Sequence, residues 1–155
     1  MESRYLYRGK RIDNREWVEG FLFMVNDVPY ILPHHNTGQP IHVDNLLKTA
    51  VEVLKDTVCR CTGQYDKNGR LIYENDILMC HGNTEDLVKA VFGEFNIINA
   101  ETLEAVDRVI GWHYEVVPTD ALSKCEPFCL PMPLTEVYVK KCEMEIVERS
   151  SHDGE

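Results

Sequence analysis

The chain is expected to be mainly β: small, strongly bent sheets or half-barrels with one or two short helices. Three observations predict this. Aromatic and β-branched residues gather in short runs, with seven Tyr, five Phe and two Trp among 155 residues, and such side chains suit the pleated, half-buried surface of a sheet. Polar clusters rich in Asn, Asp and Gly separate the runs, as turns do. One cluster, Asp66-Lys67-Asn68-Gly69, lies between two strand-forming segments. An Asn-Gly pair so flanked is a strong hairpin signal, because both residues tolerate positive φ.

From the N-terminus, Tyr5-Leu6-Tyr7 and residues 17–24 read as two strands, with the turn Asp13-Asn14-Arg15 between them and Asn14 at positive φ. Asn26-Asp27 makes a second turn. Residues 28–32 follow as an edge strand, since Pro29 and Pro33 cannot donate to a ladder. Residues 36–40 are loop, and 45–50 form a single helical turn. The Asp66 turn joins 61–65 to 71–73. Tyr73-Glu74-Asn75-Asp76 turns into a strand at 77–80, and Gly82-Asn83 turns into one at 87–92. Two readings compete for 99–111: a helix capped by Asn99 and stopped by Gly111, or a strand over 105–110. Residues 112–117 are strand, 119–133 an irregular loop, and 137–139 and 144–147 late strands.

The expected organisation is a single domain over 1–147, with an N-terminal subregion 1–56 and a barrel-like subregion 57–147. A disordered acidic tail, 148–155, follows. The hydrophobic fraction of 44% supplies a core, and a chain this long buries roughly two-thirds of its unfolded surface. The net charge of −10, from 26 acidic against 16 basic side chains, argues against binding nucleic acid or anionic lipid, which depends on neutralising phosphate. Arg4, Arg8, Lys10 and Arg11 form the one locally basic stretch, read as a solvated strand edge. No run approaches the ~20 apolar residues of a membrane span, and no secretory signal opens the chain. The expected location is the cytoplasm of a bacterium, where the six cysteines stay reduced.

Candidate chemistry is sparse. Cys59 and Cys61 alternate along a strand and point together into the core. Cys80 precedes His81. Cys125 and Cys129 are spaced as zinc ligands can be, so a metal site, and after it a disulfide, are the alternatives to buried thiols. His34, His35 and His42 read as solvated loop histidines, and His113 as a structural histidine between Trp112 and Tyr114. Asp66, Glu74 and Asp76 resemble an acid–base group, yet each sits where a turn needs an acceptor for backbone N–H groups. There is no nucleophile elbow and no phosphate loop.

Two stretches carry a resemblance. Residues 8–20, with Arg8, Gly9, Lys10, Asn14, Trp17 and Gly20, resemble the opening motif of YopX proteins. Residues 62–77, with Thr62, Gly63, Asp66, Asn68, Gly69, Ile72, Tyr73, Asp76 and Ile77, are similar to that family's central signature. Gly111-Trp112-His113-Tyr114 and Met132-Pro133-Leu134 look like later family segments. Gln64 stands where the family usually has Leu, and Asn75 where it usually has Gly. Residues 148–151 replace the Gly-Asn-x-Tyr ending of many relatives. The resemblance implies a phage or prophage origin, a mostly β fold and self-association, and it brings no catalytic residues.

The expected function is that of an accessory protein that acts without catalysis or cofactor. It would bind a host or phage protein and form a homo-oligomer. One alternative is nucleic-acid binding through Tyr5, Tyr7, Trp17 and Arg8. Another is a small metal protein or enzyme using the thiols and histidines.

Overall fold

The computed structural model describes residues 5–34, 48–99, 101–117 and 131–149. The chain divides into two compact units, one running through Cys61 and the other spanning Thr62–Ser150.

In the first unit, β1 (Tyr7–Lys10), β2 (Trp17–Val25), β3 (Val28–Pro33) and β4 (Val51–Glu52) form an antiparallel sheet in the order β4-β3-β2-β1. The start of β5 (Cys59–Tyr65) takes the other edge of β1, with Tyr7 opposite Arg60 and Arg8 opposite Cys59. Asn26 and Asp27 both adopt positive φ, 50° and 64°, and close the β2–β3 hairpin as a two-residue turn whose twist matches its strands. Gly20 is dictated by close approach: a Cβ there would lie 1.9 Å from the Leu32 carbonyl oxygen. Leu6, Ile31, Val53, Cys59 and Cys61 are buried.

The second unit holds the rest of β5, which neighbours β6 (Leu71–Tyr73). It also holds a sheet of β7 (Asp76–Cys80), β8 (Asn83–Ile98), β9 (Ala105–Val116), β10 (Met132–Pro133) and β11 (Glu145–Arg149) in the order β10-β9-β8-β7-β11. Its core gathers Ile72, Leu78, Val88, Tyr114, Met144 and Ile146 with their neighbours. A short helix, α1 (Glu136–Lys141), buries Val139 against them. The order leaves β10 and β11 at opposite edges, so the fold is mainly β without a closed barrel.

Several expectations need correction. Residues 137–139 are helical, not strand. Thr135 caps α1 by accepting the Tyr138 N–H, and Glu136 pairs with Lys140 one turn on. At the other end the Met144 N–H reaches the Val139 carbonyl and the Glu143 N–H reaches Lys140, the pattern of a Schellman stop, with Glu143 left-handed at φ 49°. Over 105–110 the strand reading holds. Asn99 instead caps a turn by accepting the Glu101 and Thr102 N–H groups. Gly111 ends no helix and faces Gly93 within the β8–β9 ladder.

Further shifts are local. The first strand begins at Tyr7 rather than Tyr5. Arg15, not Asn14, takes positive φ (63°), because the Asn14 side chain holds the turn by accepting the Glu16 N–H. β3 is not an edge, since β4 pairs with it at Tyr30 and Ile31. The β7–β8 turn is His81-Gly82, one residue early. Glu148 and Arg149 extend β11 opposite Ile77 and Asp76, instead of opening a disordered tail. Lys48 and Thr49 are helical. The predicted loop at 36–40 and most of that at 119–133 lie outside the described residues, as do His35, His42, Cys125 and Cys129. No described helix is long and apolar enough to cross a membrane.

Candidate functional site

In the first unit the signature residues serve packing. Arg8 is fully buried, with its guanidinium over the Trp17 ring at 4.6 Å, and the Lys10 ammonium lies over the same ring at 5.4 Å. The basic stretch is therefore no solvated edge at Arg8, and Arg8 is out of reach of a nucleic-acid backbone. Gly9 makes room for Val53. Buried Thr57 accepts the Lys10 N–H and donates to the Leu54 carbonyl.

In the second unit the central signature builds two turns. Asp66 is buried, and its Oδ1 accepts the N–H groups of Asn68 and Arg70 at 2.9 Å. Its Oδ2 accepts the Ile146 N–H of β11 at 3.0 Å. Gly69 takes positive φ (79°), giving a type I turn closed by a left-handed residue. Asp76, also buried, accepts the Tyr73 N–H. Asn75 is left-handed at φ 71°, a conformation Asn tolerates and Gly prefers. Asp66 and Asp76 thus act separately, each as the acceptor its turn was expected to need, rather than as an acid–base group.

His113 is buried in β9, with Nδ1 3.2 Å from the Gly111 carbonyl oxygen and its ring stacked on Phe95 at 4.6 Å. Cys59 and Cys61 are both buried in β5. Exposed His34 sets its ring edge-on to Phe21. Among the described residues no three His, Cys, Asp or Glu side chains converge as metal ligands. A groove of about 570 Å³ opens between the Asp66 turn and α1. Its charges are mixed in sign and mostly paired, Lys140 with Glu136 and Lys67 with Glu145. Lys67 and Asn68 hold the Glu145 carboxyl below its ordinary pKa.

The feature without an internal explanation is the far half of the β8–β9 hairpin. β7 pairs with β8 as far as Lys89, and β10 pairs with β9 at His113 and Tyr114. The Leu134 N–H still reaches the Trp112 carbonyl; beyond it β8 and β9 pair only with each other among the described residues, from Gly93 opposite Gly111 to Ile98 opposite Ala105. A two-stranded ribbon alone is marginal in water. Its alternate positions carry Phe92 and Glu94 on β8 and Arg108 and Ile110 on β9, with Glu94 and Arg108 paired across the strands. Ile110 is 69% exposed and Val106 62%. Sequence reasoning missed this surface, because residues 99–110 also fit a helix and only the ladder shows which side faces outward.

Residues 6–126 match the family model described as YopX protein. The chain belongs to the YopX family. No curated protein and no solved structure matches it. In this YopX-family chain both signature stretches are spent on turns, close backbone approach and one buried cation–aromatic stack. The exposed ribbon lies partly between them and the later segments, with its base at Trp112-His113-Tyr114.

Proposed function

We propose that this YopX-family protein is a phage or prophage accessory protein of the bacterial cytoplasm that works by binding, and that it self-associates through the outward face of the β8–β9 ribbon. The supporting observation is the ribbon itself: apolar Val106 and Ile110 stand in water on a two-stranded extension whose outer edges pair with no described strand. Edges and apolar faces of this kind are templates for another chain. A second copy fits the charge pattern. One ribbon laid antiparallel on another would set Glu94 of each against Arg108 of its twin and keep the acidic tips, with Glu101 and Glu104, at opposite ends. A host or phage protein is the other class of partner the surface would admit.

The test is solution mass by light scattering, for the wild type and for Ile110→Asp. The wild type is expected at a multiple of 17.9 kDa. The variant should shift to the single-chain mass with its β circular dichroism intact, since Ile110 contributes little to the core. A wild-type chain that stays single at high micromolar concentration removes self-association. A variant that keeps the multiple mass moves the interface elsewhere.

A further inference from the structure

Cys80 and Cys142 have no part in the reading above, yet the fold sets them side by side. Cys80 ends β7, and Cys142 caps the C-terminus of α1. The His81 N–H donates to the Cys142 carbonyl at 2.8 Å, joining the peptide groups next to both Cα atoms. The bonded N and O each lie about 2.4 Å from the neighbouring cysteine Cα, so the Cα–Cα separation has an upper limit of about 7.6 Å. The trans peptide places the His81 N–H on the side of the Cys80 Cα. The path therefore bends sharply and the separation falls inside that limit, toward the ~4.4–6.8 Å of a disulfide.

The side chains agree with the backbone. Cys80 belongs to the core cluster with Leu78, Val88 and Met144, and Cys142 packs against that cluster. Their neighbours His81 and Glu143 point the other way, exposed, with Nδ1 3.9 Å from Oε2. The two segments thus present a thiol pair inward and an imidazole–carboxylate pair outward. Both thiols are free.

We propose that Cys80 and Cys142 are a modification site, closing to an intramolecular disulfide when the protein meets a peroxide. The Cys142 thiolate, half-buried and the more accessible, attacks the peroxide O–O bond. It becomes a sulfenic acid and releases hydroxide. The Cys80 thiolate then attacks that sulfur and expels a second hydroxide, which leaves as water with the protons the thiols gave up. The balance is one hydrogen peroxide and two thiols to one disulfide and two waters. Burial pushes the Cys80 thiol up to about 12, with Asp86 and Cys142 adding to the effect, and it raises Cys142 as well. Closure is accordingly slow, a response to sustained oxidant. The product ties the end of β7 to the stop of α1 and encloses a long loop of the unfolded chain, which raises the melting temperature.

Folded wild-type protein is treated with excess hydrogen peroxide, alkylated, digested and mapped by mass spectrometry, alongside Cys142→Ser and the double variant Cys125→Ser/Cys129→Ser. The expected result is a Cys80–Cys142 linked peptide in the wild type and the double variant, absent from Cys142→Ser, with a raised melting temperature that dithiothreitol reverses. Cys142 recovered as sulfinic acid with Cys80 still alkylated, or Cys142 linked to another cysteine, overturns the proposal. So does a full complement of alkylated thiols.

Discussion

One carboxylate can hold a turn and anchor a distant strand together, and Asp66 does so. Oδ1 takes two N–H groups of its own turn, and Oδ2 takes one from β11. Asp66→Asn keeps the turn acceptor but sets an amide N–H₂ against the Ile146 N–H. Asp66→Ala leaves all three donors without their acceptor. Losses of about 2 kcal/mol and about 4 kcal/mol follow, readable as two steps in urea midpoint; equal midpoints for the two variants would contradict this division of labour. The sequence placed Asp66 at the opening of a turn, because Asn68-Gly69 behind it is a local signal. The bond to β11 spans most of the second unit and has no local signature. Arg8 teaches the same lesson in reverse. A basic side chain near other basic residues reads as surface, and only the position of the Trp17 ring shows why it is inside.

Helix α1 was hidden at the level of elements. Val137-Tyr138-Val139 is a β-type run, and its helicity comes from what brackets it: the Thr135 cap before and the Schellman stop after. That stop puts a glutamate in the left-handed region, where a Cβ costs roughly 1–2 kcal/mol. Glu143→Gly is expected to stabilise the chain by about 1 kcal/mol, net of the freedom glycine gains when unfolded, and to raise the thermal midpoint by a few degrees. A lowered midpoint would show that the outward His81–Glu143 contact outweighs the strain. The strands were more legible, because their turns are written locally: Asn26-Asp27, Asp66 to Gly69 and Asn75 each sit at a strand end. What escaped was extent. β8, expected over 87–92, runs from Asn83 to Ile98, since cross-strand pairing with β9, not residue preference, carries it there.

For the molecule as a whole, the buried titrating groups set a pH limit. Cys80, Cys142 and Tyr114 are all raised, burial being the first cause in each. Unfolded, thiols with an ordinary value of 9.0 and a phenol of 10.0 ionise first, so above about pH 9 the folded chain holds more protons and stability falls as pH rises. Below that range these groups contribute in full. The urea midpoint should be level from neutrality to about pH 8.5 and lower by about pH 10.5, with a shallower decline in Cys80→Ala. A level profile through that range would mean the thiols are hydrated in the folded state. At this scale the mainly β class and the family were legible, because turn chemistry and motif run along the chain. The pairing of Cys80 with Cys142 was not, since one lies in a strand and the other at a helix cap that the sequence did not announce.

Gly93 faces Gly111 two residues beyond the last pairing with β10, at His113, and nothing lies within 4 Å of where either Cβ would be. That rung of the ribbon lacks the side-chain contact that stiffens its neighbours. The Phe95–His113 stack on one side and the Phe92–Trp112 contact on the other flank it. The outer half is therefore a lever on a joint clasped by two ring pairs, and any load on its tip is felt first at those aromatics.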